Sequence, residues 1–257
     1  MANAPAPISV QLYSLRKEAA KDFVGVLARL GEIGFVGVEL AGFNGLTPAQ
    51  FSKAATDAGL VVSSGHIGDT SPDAVNSALD DLQAVGADTA VLAVLAPATF
   101  GDLEQINRAA DALNTANEIA RVRGVTVGYH NHYWEFQTVI DDKAAWWHFF
   151  DRLDETIVAE LDMYWAKVGG ADPIDVVTEM GARVRLLHVK DGPAQQPEQP
   201  MVAAGKGLVD IGGVLAASAS AVAWHIVELD RCETDMMQAV ADSYNYLVGN
   251  GLSRGRR

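Results

Sequence analysis

The chain has 257 residues, 49 % of them hydrophobic, and a formal net charge of −14 at pH 7. That length is long for an ordinary domain and normal for an α/β barrel, and an acidic chain with no basic block argues against nucleic acid or an anionic membrane as partner, since phosphate binding needs clustered Lys and Arg. No apolar run approaches the ~20 residues of a membrane span. The start, MANAPAPISV, lacks the basic and apolar regions of an intact secretory signal. Cys232 is the single cysteine, so no internal disulfide forms. This fits a reducing compartment, and the cytoplasm is the expected location.

Residues 1–7 are rich in Ala and Pro and read as a flexible N-terminus. Ile8–Tyr13 reads as a first strand, with Gln11 and Tyr13 near its end. Asp22–Ile33 carries Phe23, Val26, Leu27, Leu30 and Ile33 at the helical period, and Gly34 ends it. Val36–Leu40 is a second strand, ending near Glu39. Thr47 and Pro48 then supply a cap and first-turn proline for a helix closed by Gly59. Leu60–Ser64 is a third strand, followed by His66, and a helix runs from Ser71 to Val85. Thr89–Leu95 is a fourth strand, and a longer helix spans Asp102–Val122. The fifth strand lies in VTVGYHNHYWEF, Val125–Phe136. Asp141–Asp151 is predicted helical, with an aromatic cluster at Trp146–Phe150 that packs on its own fold or on another subunit, which leaves a homo-oligomer open.

Ile157–Asp162 is a sixth strand, Asp172–Gly181 a helix and Val184–Val189 a seventh strand. Asp191–Gly207 is the longest irregular stretch, the length at which loops are usually functional or mobile. Val209–Ser218 is a short helix, Trp224–Leu229 an eighth strand and Thr234–Val248 the last helix. Residues 251–257 read as a solvated basic tail carrying Arg254, Arg256 and Arg257. Eight strands alternating with eight helices, without a linker, imply one α/β domain over residues 8–250: a (β/α)8 TIM barrel with its active site at the C-terminal mouth.

Four consecutive strands end in metal-competent groups: His130 with His132, then Asp162, His188 and Glu228. The gaps between His130, Asp162, His188 and Glu228 are 32, 26 and 40 residues, each enough for one strand–helix unit. Any one of these residues alone reads as a hydrogen-bonded mouth residue. Imidazole nitrogen and carboxylate oxygen together suit one divalent ion, Mn2+ first and Zn2+, Co2+ or Mg2+ as alternatives.

YHNHYWEF, ELDMYW, HVKDG, AGKGLVDI and VELD, with ISVQLYSLR at the start and SYNYL near the end, resemble the xylose isomerase-like TIM barrels of the sugar phosphate isomerase/epimerase superfamily. The resemblance covers nearly the whole chain and implies a fold more sharply than a substrate. In its well-characterised epimerases a glutamate, an aspartate, a histidine and a glutamate on strands five to eight hold the metal. Carried over, those positions are His130, Asp162, His188 and Glu228. The first departs from the pattern: His130 stands where the epimerases have a glutamate that also serves as one of two acid/base carboxylates. The family's Asp-x-x-His is here Asp162-Met-Tyr-Trp165, so Trp165 reads as a stacking wall for a sugar face. The YHNH variety also resembles proteins acting on 3-keto sugars and 3-keto-glycosides.

The expected activity is therefore that of a metal-dependent sugar isomerase or epimerase that takes a proton beside a carbonyl, with a small-molecule sugar as partner. Glu228 is the expected base, with His130 or His132 as its counterpart. Lys190 binds a developing oxyanion or, in the bland reading, pairs with Asp191 at the surface. Tyr13, Glu39, His66, Glu135 and Trp165 are expected to contact the substrate, Glu135 alternatively reaching the metal or capping the next helix. Three alternatives stand beside this: β-elimination by a 3-keto-glycoside lyase, an abasic-site endonuclease, and a sugar-binding relative without turnover.

Overall fold

The computed structural model describes residues 4–218 and 221–256. Met1–Asn3 of the expected flexible N-terminus and Arg257 of the expected tail lie outside the described residues. Eight parallel strands close into a barrel: β1 Ile8–Gln11, β2 Gly37–Leu40, β3 Val61–Ile67, β4 Thr89–Leu92, β5 Thr126–His130, β6 Val158–Asp162, β7 Val184–Val189 and β8 Trp224–Val227, with β8 pairing back onto β1. Helices lie between successive strands, which makes the (β/α)8 barrel a finding. Among the described residues no helix is long and apolar enough to cross a membrane.

Alternation along each strand decides what faces where. Ile8, Val10, Val38, Tyr129, Leu161, Leu187 and Val227 join the large apolar layer between strands and helices. The alternate positions Val91, Leu186 and Ile226, with Trp224 packed on them, form a small separate cluster. The next inward step along the same strands is polar: Glu39, His130, Glu160, Asp162, His188, Lys190 and Glu228 are all buried. The register sets these groups level, with His130 opposite Glu160 and Asp162 opposite His188.

Several boundaries differ from the sequence reading. Strand β1 stops at Gln11, and Leu12–Leu15 forms a 3-10 turn leading into a helix that starts at Arg16. That helix kinks at Asp22 (φ −154°, ψ 84°), whose Oδ1 accepts the Gly25 N–H at 2.8 Å and starts the second segment like a cap. The expected helix 141–151 begins only at Ala145. Before it, Val139–Ile140 and Lys143–Ala144 form a hairpin. Its turn residues Asp141 and Asp142 both hold positive φ (49° and 61°), the pairing a two-residue turn of the primed type demands. The aromatic residues of this helix pack on the barrel itself: Phe149 lies 4.8 Å from the Tyr129 ring and Trp146 5.0 Å from Phe136.

The C-terminal segment is docked rather than solvated. Ile8 N–H donates to Arg254 O and Arg254 N–H to Ala6 O, so Ala6 and Pro7 are held as well. The Arg256 guanidinium donates to Ala58 O and Gly31 O, both at 2.7 Å. Carbonyls left over at helix ends supply acceptors that a sequence reading of charge alone does not see.

His225, facing this end of the barrel, is buried and bonds Ser253 Oγ at 2.8 Å. Burial pushes its pKa from the ordinary 6.5 down to about 4. The unfolded chain therefore binds a proton that the fold rejects as pH falls from 6.5 towards 4, and stability is lost over that window. His225→Gln is expected to flatten this acid limb by on the order of 3 kcal/mol. Urea melts of both proteins across the window check this, and parallel stability–pH curves would sink it.

Candidate active site at the barrel mouth

Asp162, the last residue of β6, takes two roles. Its Oδ1 accepts the Trp165 N–H at 2.9 Å and caps the short helix Met163–Val168, which seats Trp165 at the mouth. Its Oδ2 lies 2.9 Å from Lys190 Nζ. Asn131 fixes the neighbouring strand end, accepting the Asp162 N–H and donating to Asp162 O. Lys190 is buried (1 % exposed) and lies 2.7 Å from Glu228 Oε2 and 2.9 Å from Asp230 Oδ2. The surface pair with Asp191 is thus overturned. Asp191 instead accepts the N–H groups of Gly192, Gly205, Gly207 and Val209, folding the long loop around one carboxylate.

The centre is built around Glu160, which the strand-end reading missed. Its Oε2 lies 2.7 Å from His66 Nε2, 3.1 Å from His188 Nε2 and 3.2 Å from His130 Nδ1. Glu39 joins through Oε2, 2.7 Å from His188 Nε2, and is fixed by Gln11 Nε2 and Ser64 Oγ. His188 Nδ1 meets Glu228 Oε2 at 2.8 Å. Glu39 and His66, expected at the sugar hydroxyls, thus sit inside the charged centre.

Burial pushes His130 down to about 3 and His132 to about 2, so both are neutral imidazoles. Burial also opposes the charge on His188, but Glu160, Glu39 and Glu228 outweigh it and hold that pKa well above the usual range. Burial raises Glu228, yet Lys190 and His188 win and keep its carboxyl well below the ordinary value. Asp162 is pushed by burial up to about 6.

His132 stands above this centre, stacked on Trp134 with ring centroids 4.4 Å apart. Glu135 is fully buried and turned away, accepting from Tyr129 Oη at 2.6 Å and from the His132 N–H at 3.0 Å. Two cavities of about 420 Å3 open at the mouth. One is bounded by Tyr13, His66, His130, His132 and Glu228. The other is bounded by Tyr13, Arg16, His132, Trp134 and Trp165.

The buried cluster could hold a divalent ion. Two overlapping groups offer ligand atoms within 4.8 Å of one another: His66, His130, Glu160 and His188, and His130, Asp162, His188 and Glu228. Glu160 Oε1 is buried without a hydrogen-bond partner, His130 Nδ1 has only Glu160 Oε2 beside it and Asp162 Oδ2 only the Lys190 ammonium. Imidazole and carboxylate donors left unsatisfied in a dry site fit a bound cation.

Residues 27–227 match the family described as xylose isomerase-like TIM barrel. The chain belongs to this family. Like this xylose isomerase-like barrel, several solved structures carry the fold. A sugar phosphate isomerase/epimerase from Parabacteroides distasonis superposes with a TM-score of 0.82 at 23 % identity, covering 98 % of this chain and 97 % of that one. A D-allulose 3-epimerase from Methylomonas sp. gives 0.70 at 13 %, covering 96 % and 99 %. An AP endonuclease of family 2 from Brucella melitensis gives 0.72 at 14 %, covering 95 % and 98 %. At these identities the likeness is one of fold. A comparison of the sequence with curated proteins found no match.

Proposed function

We propose that this barrel is a metal-dependent isomerase or epimerase of a ketose or keto sugar, removing a proton from the carbon beside the carbonyl. The observation that carries the reading is Glu228. It is an ionised carboxylate at the end of β8 that borders both the imidazole–carboxylate centre and an open cavity of about 420 Å3. A divalent ion, Mn2+ before Zn2+, Co2+ or Mg2+, would be held through His130 and His188 with carboxylates from Glu160 or from Asp162 and Glu228. Bound there, it would supply a Lewis acid that polarises a carbonyl oxygen.

The side chains do the rest. Glu228 accepts the proton. His132, a neutral imidazole beside the cavity, is the second group able to pass a proton to or from the sugar. The Lys190 ammonium, held by Asp162, Glu228 and Asp230, favours negative charge on a nearby substrate oxygen. Tyr13 and Trp165 wall the mouth and exclude water.

A second reading, β-elimination from a 3-keto-glycoside, is favoured by the adjoining cavity. Trp134 and Trp165 line it as apolar faces suited to stacking an aglycone, and the buried Trp165 Nε1 has no partner. The endonuclease reading is disfavoured, because the net charge of −14 repels a phosphate backbone. A soluble sugar as partner and a cytoplasmic setting complete the proposal.

Incubation with ketoses and 3-keto-glycosides in D2O tests it. One deuterium entering beside the carbonyl is the expected result. Product isomeric with substrate marks the isomerase, and released aglycone marks the lyase. Neither exchange nor elimination on any keto sugar would overturn proton abstraction.

A further inference from the structure

The two groups of donors share His130 and His188 but demand different carboxylates. We propose that the ion binds among His66, His130, Glu160 and His188, and that Lys190 supplies the positive charge on the Asp162–Glu228 side. This rests on the metal-dependent reading above and departs from the ligand set the family resemblance implies.

Three observations carry it. The first is spacing. Metal–donor bonds of about 2.0–2.2 Å put neighbouring donors about 3 Å apart. Around Glu160 Oε2 the three ring nitrogens lie at 2.7, 3.1 and 3.2 Å. In the other group His130 Nε2 stands 3.9 Å from Asp162 Oδ2.

The second is occupancy of charge. The Lys190 ammonium lies 2.9 Å from Asp162 Oδ2 and 2.7 Å from Glu228 Oε2, while Glu228 Oε2 also meets His188 Nδ1 at 2.8 Å. These two carboxylates already face a buried cation, and an ion between them would be driven against it. The third is satisfaction. Glu160 Oε1 is buried with no partner and His130 Nδ1 has only Glu160 Oε2 at 3.2 Å, whereas Asp162 Oδ2, which also lacks a hydrogen-bond partner of good geometry, has the Lys190 ammonium 2.9 Å away, so the unmet demand lies in the first group.

Around that group lies a supporting layer. Glu39 accepts from Gln11 and Ser64 and sits 2.7 Å from His188 Nε2 and 3.4 Å from His66 Nε2. Glu39 thus faces the same ring nitrogens as Glu160, while the other nitrogen of His188, Nδ1, meets Glu228 Oε2 at 2.8 Å, the contact by which an outer carboxylate orients a metal-ligating histidine. A donor set of three imidazoles and one carboxylate suits Zn2+, Co2+ or Mn2+ better than Mg2+.

The test uses chelator-treated full-length protein reloaded with Co2+. Bound metal is counted by elemental analysis, the visible Co2+ spectrum reports the ligand field, and melting curves confirm the fold. Wild type should take up about one ion. Glu160→Gln and His66→Gln should each bind at least ~10–100-fold more weakly, the loss that an outer partner alone can cause. Asp162→Asn should keep the ion with an unchanged spectrum. If Glu160→Gln fails to fold, His66→Gln carries the comparison. Loss of the ion from Asp162→Asn, or full retention in the Glu160 and His66 variants, overturns the assignment while leaving the metal-dependent reading intact. A wild-type protein that binds no Co2+, Mn2+ or Zn2+ overturns both.

Discussion

Glu228→Gln is expected to slow hydrogen exchange beside the carbonyl by ~10²–10⁴-fold, the contribution of one positioned base. That corresponds to about 3–5 kcal/mol of barrier. The amide keeps the shape of the side chain and an oxygen for Lys190, so the barrel should melt as a cooperative unit. It cannot accept a proton at the reacting carbon. Glu228 suits the role because Lys190 and His188 overcome its burial and keep it ionised across the neutral range. Deuterium incorporation read by NMR, at saturating substrate and equal metal content, separates lost chemistry from lost binding. Unchanged exchange would shift the base to His132, whose ring borders the same cavity and is neutral. A parallel His132→Gln protein then decides the matter.

The barrel itself was legible because its signals repeat: apolar strand, glycine or proline punctuation, amphipathic helix. The site was legible in outline for the same reason, since each strand's polar terminus stood out against its apolar run. Glu160 is less legible, because Asp162 at the end of the strand is the residue that stands out in the ELD stretch. Strand alternation would have found it, for residues two apart face the same side and Glu160 shares that side with Asp162. The same rule disposes of a Lys190–Asp191 pair, since neighbours on an extended chain point opposite ways. What alternation does not reveal is partnership across the barrel. Glu39 reaches His188 from 149 positions away, which only ring closure arranges. The docked tail and the hairpin before the aromatic helix were missed for a different reason. Both depend on which backbone groups are left unpaired in the folded chain.

Lys190→Met should be the most damaging single change to stability at this end of the barrel. Lys190, Asp162 and Glu228 are buried, and the ammonium lies within 2.9 Å of Asp162, Glu228 and Asp230. Its removal strands two carboxylates in a dry site, the situation in which breaking a buried pair costs about 3–5 kcal/mol. For a chain of this size that is a fall in Tm of roughly 10 °C. The direction with pH follows from the charges. Without the ammonium, both carboxyls rise in pKa, and a carboxyl raised by folding loses stability as pH increases. The deficit against wild type should therefore be largest at neutral pH and shrink as pH falls through the carboxylate range. Divalent ions should reverse part of it, because Asp162 and Glu228 then have no cation between them and become available as donors. Melting curves from pH 5 to 8, with and without added Mn2+, measure all three effects. A Tm equal to wild type at neutral pH would mean that the Lys190 charge and the carboxylates it touches are not coupled in the folded chain.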